Sequence, residues 1–229
     1  MFGHAVEATQ RTDGTGARKG GNRLKLPKHY AVFRAGDDAE RFYEVESGAV
    51  MLYRFLDDGR RQVVEVVFPG GVCGLVGGDN HESSCETLMP SVLRAFNRDE
   101  LARSDSLRVR VVERLQGQLS AMHDHAVSLG RKTAEERVCS LILRLRDVAQ
   151  GAAKSSVVSL PMSRTEVADY LGLTLETVCR TINDLVRRRV VEFGSGKTEI
   201  KVHNLERLRE AASWDGPLRV VAAASARAQ

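Results

Sequence analysis

The segment from Ser163 to Arg189 constrains the fold more than any other part of the chain. It contains two helical patterns joined at Gly172, a residue type that readily adopts the positive φ with which many helices end. Ser163 and Glu166 have the spacing of a capping box for the first helix, and Thr174 can cap the second. Two helices joined by a short glycine turn predict a helix-turn-helix unit.

The second helix of this unit has one apolar and one polar face. Val178, Ile182 and Leu185 recur at steps of three and four, so we expect them to face the core with Val186 beside them. The polar face suits the major groove of DNA, where arginine can donate to guanine and glutamate can accept from cytosine. The predicted base contacts are Leu175, Glu176, Cys179 and Arg180. A surface salt bridge between Glu176 and Arg180 is the alternative interpretation.

Basic and hydroxyl side chains surround this face and suit the phosphates of DNA, which fix register without reading sequence. The predicted backbone contacts are Ser163, Arg164, Thr165, Thr174, Thr177, Arg187 and Lys197. A short hairpin pattern follows over residues 190–202 and predicts a β-wing. We therefore predict a winged helix-turn-helix domain over residues 131–210, with double-stranded DNA as its partner.

Residues 24–97 have a different sequence pattern, in which short apolar runs alternate with glycine-rich turns. The runs at residues 41–45, 49–56 and 62–68 predict strands, and Asp58-Gly59 predicts a hairpin between the last two. Closely spaced short strands are typical of a β-sandwich or barrel. We predict a mobile arm at residues 1–23 and a frayed tail at residues 211–229, because both are poor in large apolar residues.

Residues 98–130 have a helical pattern that predicts one long helix. Its apolar residues form a narrow a/d stripe, which favours a homodimer seam over packing on the protein's own barrel. The predicted interface residues are Val112, Leu115, Leu119, Met122, Ala126 and Leu129. A capping box at Thr133 and Glu136 then opens another helix, which is expected to end near Ala149.

The composition excludes several classes of protein. The net charge of +4 permits a nucleic-acid partner but does not require one. The four cysteines lack the spacing of a zinc site. The sequence has neither an apolar run long enough to cross a membrane nor an apolar signal core, so we expect a cytoplasmic protein. No metal or cofactor is expected.

The order of these parts resembles the CRP/FNR superfamily of bacterial transcription regulators. The segments GDDAERFYEVESGAVMLYRF and FPGGVCGLVGG resemble the barrel hairpins and the phosphate-binding segment of the family, and LTLETVCR resembles the recognition-helix signature of its FNR side. The resemblance is closest to the FixK branch. The resemblance implies an α+β fold with a jelly-roll barrel (a double-stranded β-helix, as in cyclic-nucleotide-binding domains), a long dimerisation helix and a winged helix-turn-helix. It also implies a homodimeric activator, not an enzyme, that recognises a TTGA…TCAA palindrome and contacts RNA polymerase.

The sequence departs from the sensors of this family in two places. Residues 1–72 contain no cysteine, so the thiolates of an oxygen-sensing iron–sulfur cluster are missing. The segment from His81 to Cys85 has no arginine for a cyclic phosphate. Cys73 and His81 are conceivable haem ligands, but a buried cysteine and a surface histidine are the favoured interpretation. We therefore expect no obligatory effector.

Cys179 stands where the family pattern has serine. A thiol near guanidinium groups and a helix N-terminus is a candidate for oxidation, so we consider Cys179 redox-sensitive. The alternative is that it is only a small neighbour of Arg180. Two other functions stay open: a ligand-gated regulator of the same fold, and, more remotely, a cupin-type metalloenzyme, for which the barrel sequence offers only His29 and His81.

Overall fold

The N-terminal half of the chain folds into a barrel of antiparallel strands. The structure, a computed structural model, describes residues 21–149, 157–194 and 198–212. Within them, two four-stranded sheets have the orders β1-β8-β3-β6 and β2-β7-β4-β5. The strands are β1 Asn22–Leu26, β2 Ala31–Phe33, β3 Arg41–Ser47, β4 Val50–Phe55, β5 Arg61–Val67, β6 Val72–Cys73, β7 Ser84–Thr87 and β8 Ser91–Asn97. The expected jelly-roll barrel is confirmed.

Alternating burial along the strands explains why these residues form sheets. In β8, Ser91, Leu93 and Ala95 point into the barrel, while the residues between them face outward. At the tight corner between β3 and β4, Gly48 has φ +87°, and a Cβ there would lie 2.2 Å from the Ser91 Oγ. A larger residue would therefore be strained at this corner. The predicted hairpin between β4 and β5 is confirmed.

The predicted N-terminal arm is too long, because β1 already begins at Asn22 and pairs with β8. Residues 1–20 lie outside the described residues, as do residues 213–229 of the predicted tail. The start of that tail also differs from the prediction, because Ala211 is still part of a helix that the sequence did not predict, α6 Leu205–Ala211.

The prediction of a single helix over residues 98–130 is wrong in one respect, because the structure breaks the helix at Ser104. The structure has α1 Arg98–Arg103 and α2 Asp105–Arg131. Ser104 is extended, and its hydroxyl accepts a hydrogen bond from the Leu107 amide, so it caps a new helix instead of continuing the old one. The next helix, α3 Ala134–Ala149, begins at the predicted capping box of Thr133 and Glu136.

The C-terminal domain is a helix-turn-helix with a wing. It contains β9 Val157–Ser159, α4 Arg164–Leu171, α5 Leu175–Arg187, β10 Val191–Phe193, β11 Glu199–Val202 and the short helix α6. The three strands form one antiparallel sheet of order β10-β11-β9. Val178, Ile182 and Leu185 are buried as predicted, whereas Val186 is 37% exposed, so its placement beside the core is wrong. Val186 follows Leu185 by one residue, which rotates it about 100° away from the buried face.

Candidate DNA-binding surface

The turn between α4 and α5 is built from local caps. Ser163 and Glu166 form the predicted capping box at the start of α4. Gly172 ends that helix in the left-handed region, with φ 61° and ψ 42°. The Thr174 hydroxyl accepts from the Thr177 amide at 3.1 Å and so starts α5. These caps end α4 and start α5 at the residues that the sequence predicts.

The outer face of α5 presents the predicted base-contacting residues. Leu175, Glu176 and Arg180 are exposed, and Cys179 is half-buried between them. Glu176 and Arg180 do not form the i,i+4 salt bridge that was the alternative interpretation. Neither side chain has a hydrogen-bond or ion-pair partner among the described residues. This face therefore carries one carboxylate and one guanidinium that the described part of the chain leaves free.

Arg164 joins α4 to the wing. Its guanidinium stacks on the Phe193 ring at 4.1 Å from the centroid. Burial lowers the pKa of Arg164, and the neighbouring Cys179 side chain opposes that shift electrostatically. Its Nη1 is buried and has no hydrogen-bond partner among the described residues. A buried guanidinium donor without an acceptor is a costly arrangement that an anionic ligand would relieve.

The other side chains predicted to contact the DNA backbone differ in whether the protein already uses them in hydrogen bonds or ion pairs. Ser163 and Thr165 are exposed at the start of α4, and the Ser163 hydroxyl is used as the helix cap. The hydroxyls of Thr174 and Thr177 lie 2.8 Å apart. Arg187 pairs with Asp184 on the same helix. Lys197 lies outside the described residues.

The arginines at the end of α5, Arg187 to Arg189, do not all have the same surroundings. Arg188 donates to Glu135 of α3, and this hydrogen bond raises the pKa of Arg188. Arg188 therefore ties α5 to α3, and Arg187 is the more available of the two for a phosphate because 78% of its side chain is exposed. The sequence could not separate these roles, because Glu135 is distant along the chain.

Arg137 connects the helix-turn-helix to the long helix α2. Its guanidinium donates to the backbone oxygens of Lys132 at 2.9 Å, Leu129 at 2.7 Å and Leu171 at 2.9 Å. These carbonyls belong to the C-terminal ends of α2 and α4, where helices leave acceptors without partners. One side chain therefore fixes both helix ends. The sequence analysis missed this residue, because nothing local distinguishes it from other helix arginines.

A stacked ring pair holds the same junction. The rings of His125 in α2 and Tyr170 in α4 lie 4.0 Å apart and are parallel within 5°. The Tyr170 hydroxyl accepts from Arg144 of α3 at 2.7 Å. Burial lowers the pKa of His125 to about 4, and the positive charge of Arg144 acts in the same direction. His125 is therefore neutral at physiological pH.

The predicted seam residues of α2 fall into two groups. Val112, Leu119, Met122 and Ala126 are exposed. Leu115 instead packs against the barrel cluster, and Leu129 lies beside the Gly172 turn, half-buried. The exposed group forms an apolar stripe that the described part of its own chain does not cover.

A cavity of about 510 Å³ lies between the barrel and α2. Its polar lining includes Arg54 of β4, which the sequence analysis did not associate with the phosphate-binding segment. Arg54 Nε donates to the Ser83 Oγ at 2.9 Å, and Arg54 Nη2 donates to Glu82 at 2.5 Å. An arginine is therefore present after all, but its guanidinium is already paired. The residues do not fit a cyclic phosphate unless Glu82 moves aside.

His81 also lines this cavity and is buried, so the expectation of a surface histidine is wrong. Its ring stacks on Phe33 at 3.8 Å, and burial lowers its pKa. The segment folds back under Gly36, whose amide donates to the His81 carbonyl, and this contact is invisible in the linear sequence.

The four cysteines lie in three separate parts of the described structure. Cys73 and Cys85 lie together in the barrel with their sulfur atoms 3.9 Å apart, while Cys139 is buried in α3 and Cys179 is in α5. Burial raises the pKa of Cys85 well above its usual value and that of Cys139 to about 12. Of the four, Cys179 alone is not buried. The described helices are all too short or too polar to span a membrane.

Comparison with known proteins agrees with this architecture. Residues 23–104 match the cyclic nucleotide-binding domain family, and residues 136–211 match the Crp-like helix-turn-helix domain family. The nitrogen fixation regulation protein FixK of Rhizobium meliloti is 35% identical over 178 residues, which cover 78% of this chain and 81% of FixK. FixK of Bradyrhizobium diazoefficiens is 35% identical over 183 residues, covering 77% and 76% of the two chains.

Solved structures give the same result. FixK2 from Bradyrhizobium japonicum superimposes with a TM-score of 0.74 at 33% identity, over 83% of this chain and 96% of FixK2. A CRP-family transcriptional regulator from Thermus thermophilus shares the fold, with a TM-score of 0.73 at 21% identity over 82% and 96% of the two chains. The fold and these relatives thus define a DNA-binding transcription activator, and not an enzyme. The chain belongs to the CRP/FNR superfamily and, within it, to the FixK branch.

Proposed function

We propose that this protein is a homodimeric activator that reads a TTGA…TCAA palindrome with α5 and needs no small-molecule effector. The observation that carries the proposal is the free pair of charges on α5. Glu176 and Arg180 stand one helical turn apart, exposed and without partners among the described residues. Arg180 can donate two parallel hydrogen bonds to a guanine, and Glu176 can accept from a cytosine amino group.

The exposed stripe of α2 supports the dimer. Val112, Leu119 and Met122 are each between 44% and 53% exposed, which is unusual for large apolar residues in a row along one helix. A second copy of α2 would cover them as in a coiled coil. The two α5 helices would then have to lie roughly 34 Å apart to enter successive major grooves.

The names of the relatives support contact with RNA polymerase. AadR of Rhodopseudomonas palustris is a transcriptional activatory protein, and FnrL of Cereibacter sphaeroides is a transcriptional activator protein. An activator that binds upstream DNA raises transcription by recruiting polymerase, so we include polymerase among the partners.

The internal pairing of Arg54 supports independence from an effector. A cyclic phosphate needs a free guanidinium, and Arg54 already has Glu82 and Ser83 as acceptors. The carboxylate of Glu82 would also repel a phosphate at this position.

We further propose that oxidation of Cys179 by a peroxide inactivates the protein. Attack of the thiolate on the peroxide gives a sulfenic acid and releases water or an alcohol, and further peroxide gives the sulfinic and sulfonic acids. The half-buried position of Cys179 between the base-contacting residues supports this idea. A fixed negative charge there would face the phosphates and base acceptors of DNA.

The test is a DNA-binding titration across a range of salt concentrations. Fluorescence anisotropy with a TTGA…TCAA duplex should give tight binding that weakens with salt, and a scrambled duplex should bind much less tightly. Pretreatment with hydrogen peroxide should abolish the specific binding of the native protein but not that of Cys179→Ser. Equal binding to both duplexes would reject the palindrome, and equal peroxide sensitivity would reject the role of Cys179.

A ligand-gated regulator of the same fold is the second candidate, and the cavity favours it. His81 is buried at the cavity wall, and its Nδ1 has no hydrogen-bond partner among the described residues. Calorimetry with cAMP and a Soret absorption measurement after addition of haemin test this candidate. Saturable binding of either compound would favour it over the effector-independent proposal.

A further inference from the structure

Three side chains of metal-binding type meet where the barrel touches the helix-turn-helix. The Nδ1 of His29 lies 2.9 Å from the Glu86 Oε1 and 3.9 Å from the Glu166 Oε1. The three ligand atoms all lie within 4.8 Å of one another. A first-row metal ion binds nitrogen and oxygen ligands at about 2.0–2.2 Å, which places neighbouring ligand atoms roughly 3–3.5 Å apart. Small side-chain movements would therefore bring all three to one ion.

The backbone places the three ligands, and a hydrogen bond also fixes one of the carboxylates. The His29 amide donates to the Thr87 carbonyl at 2.8 Å, which fixes the turn that carries the ring. Glu86 lies in β7. The Glu166 Oε2 accepts from the Ser163 amide at 2.6 Å, so its Oε1 is the oxygen that faces His29. A hydrogen bond to a ligating carboxylate, such as the one from the Ser163 amide, orients ligands in known metal sites.

The two carboxylates of the His29, Glu86 and Glu166 cluster give it a negative charge that favours a bound cation. Only 5% of the Glu166 side chain is exposed, yet no described lysine or arginine forms an ion pair with Glu166 or Glu86. The amide of Ser163 satisfies one oxygen of Glu166, and its other oxygen faces His29, where a cation would be favourable. Among the described residues, His29 alone pairs with both carboxylates, and its ring is half-exposed, which leaves room for water ligands and an entry path.

We propose that His29, Glu86 and Glu166 bind one divalent first-row transition ion, such as Zn²⁺ or Co²⁺. A set of one imidazole and two carboxylates suits these ions better than Ca²⁺ or Mg²⁺. Water completes the coordination. Two ligands belong to the barrel and the third to α4, so the ion clamps the two halves of the chain together. The site does not depend on the proposed DNA target.

The test is a titration of the full-length chain with Co²⁺ after removal of bound metal with a chelator. We expect one equivalent to bind, with the visible absorption bands of nitrogen and oxygen ligands and no thiolate-to-cobalt charge transfer. His29→Asn and Glu166→Gln should each weaken binding at least about tenfold. Glutamine can still form the capping box, so Glu166→Gln keeps the start of α4. Zn²⁺ should raise the melting temperature of the native protein but not that of these two variants.

The matched control is His203→Asn. His203 also lies 2.9 Å from a glutamate, Glu192, but the described residues place no third ligand beside that pair. This variant should bind Co²⁺ as the native protein does. Circular dichroism confirms that each variant is folded. Three outcomes would each overturn the proposal: absence of saturable binding, a thiolate charge-transfer band, or unchanged affinity in folded His29→Asn.

Discussion

The α5 surface and the barrel cavity both contain an arginine and a glutamate, but only the cavity pairs them. In the cavity, Arg54 donates to Glu82 and Ser83. On α5, Arg180 and Glu176 stand in positions that allow pairing, and the described residues leave both charges free. The comparison teaches that residue type does not identify a binding surface. What identifies it is a charge that the fold positions and leaves without a partner.

Replacing Arg180 with alanine tests the free side of the comparison and should have the largest effect. Loss of one bidentate contact costs about 1–3 kcal/mol for each half-site and relaxes the preference for one base pair. Anisotropy with a set of single-base duplex variants measures both quantities. The matched control is Arg54→Ala, which removes an arginine that is already paired and should leave DNA affinity unchanged. An unaltered base preference in Arg180→Ala would remove this residue from the reading surface.

Arg137→Met tests how much the junction between α2 and the domain that carries the free charges contributes to stability. The variant keeps most of the side-chain volume but removes the donors to three helix-end carbonyls. A single hydrogen bond from a charged group contributes about 1.5–3 kcal/mol, so the loss of three should lower the free energy of unfolding by at least about that amount. Urea denaturation measures it. Arg103→Met, which breaks only an exposed i,i+4 pair with Asp99, should change stability by less than about 1 kcal/mol.

His125 predicts how the same junction responds to acid. The folded protein holds the pKa of His125 at about 4, below its ordinary value of 6.5, because the ring is largely buried. Between these values the unfolded chain binds the extra proton, so stability is complete above about pH 6.5 and falls as the pH approaches 4. Allowing for the partial exposure of the ring, we expect a loss of about 1–2 kcal/mol from this group.

The measurement is the free energy of unfolding in urea at pH 7 and pH 5, for the native protein and for His125→Phe. Phenylalanine can keep the stack on Tyr170 but cannot take up a proton. The variant should therefore lose less stability on acidification than the native protein. Equal losses in the two proteins would show that other groups, such as His81, whose pKa burial also lowers, dominate the acid response.

Local rules predicted the helix-turn-helix well, because its caps depend on residues three or four positions apart. The Ser163 and Glu166 capping box, Gly172 and Thr174 all have their expected roles. The break at Ser104 is also local, but a serine in a strongly helical pattern did not signal it. Local sequence rules do not predict contacts between residues that are distant along the chain.

Those distant contacts account for what the sequence analysis missed. Arg54 and Glu82 are 28 residues apart, so a search of the phosphate-binding segment alone did not find the arginine. His81 was expected at the surface, yet the fold buries it and stacks it on Phe33. The ligands of the proposed metal site come from two domains, and no metal was expected from their spacing.

Glu82→Gln tests the paired side of the comparison and should have the smallest effect. The Arg54–Glu82 pair is about half exposed on the arginine side and more so on the glutamate side, so its loss should change stability by less than about 1 kcal/mol. If the protein needs no effector, DNA affinity should stay the same. Once the carboxylate is neutral, Arg54 becomes available to an anion, and calorimetry with cAMP should then detect binding that the native protein lacks. A large change in DNA affinity without added ligand would instead mean that the cavity communicates with α5 through this pair, and the two surfaces would no longer be independent.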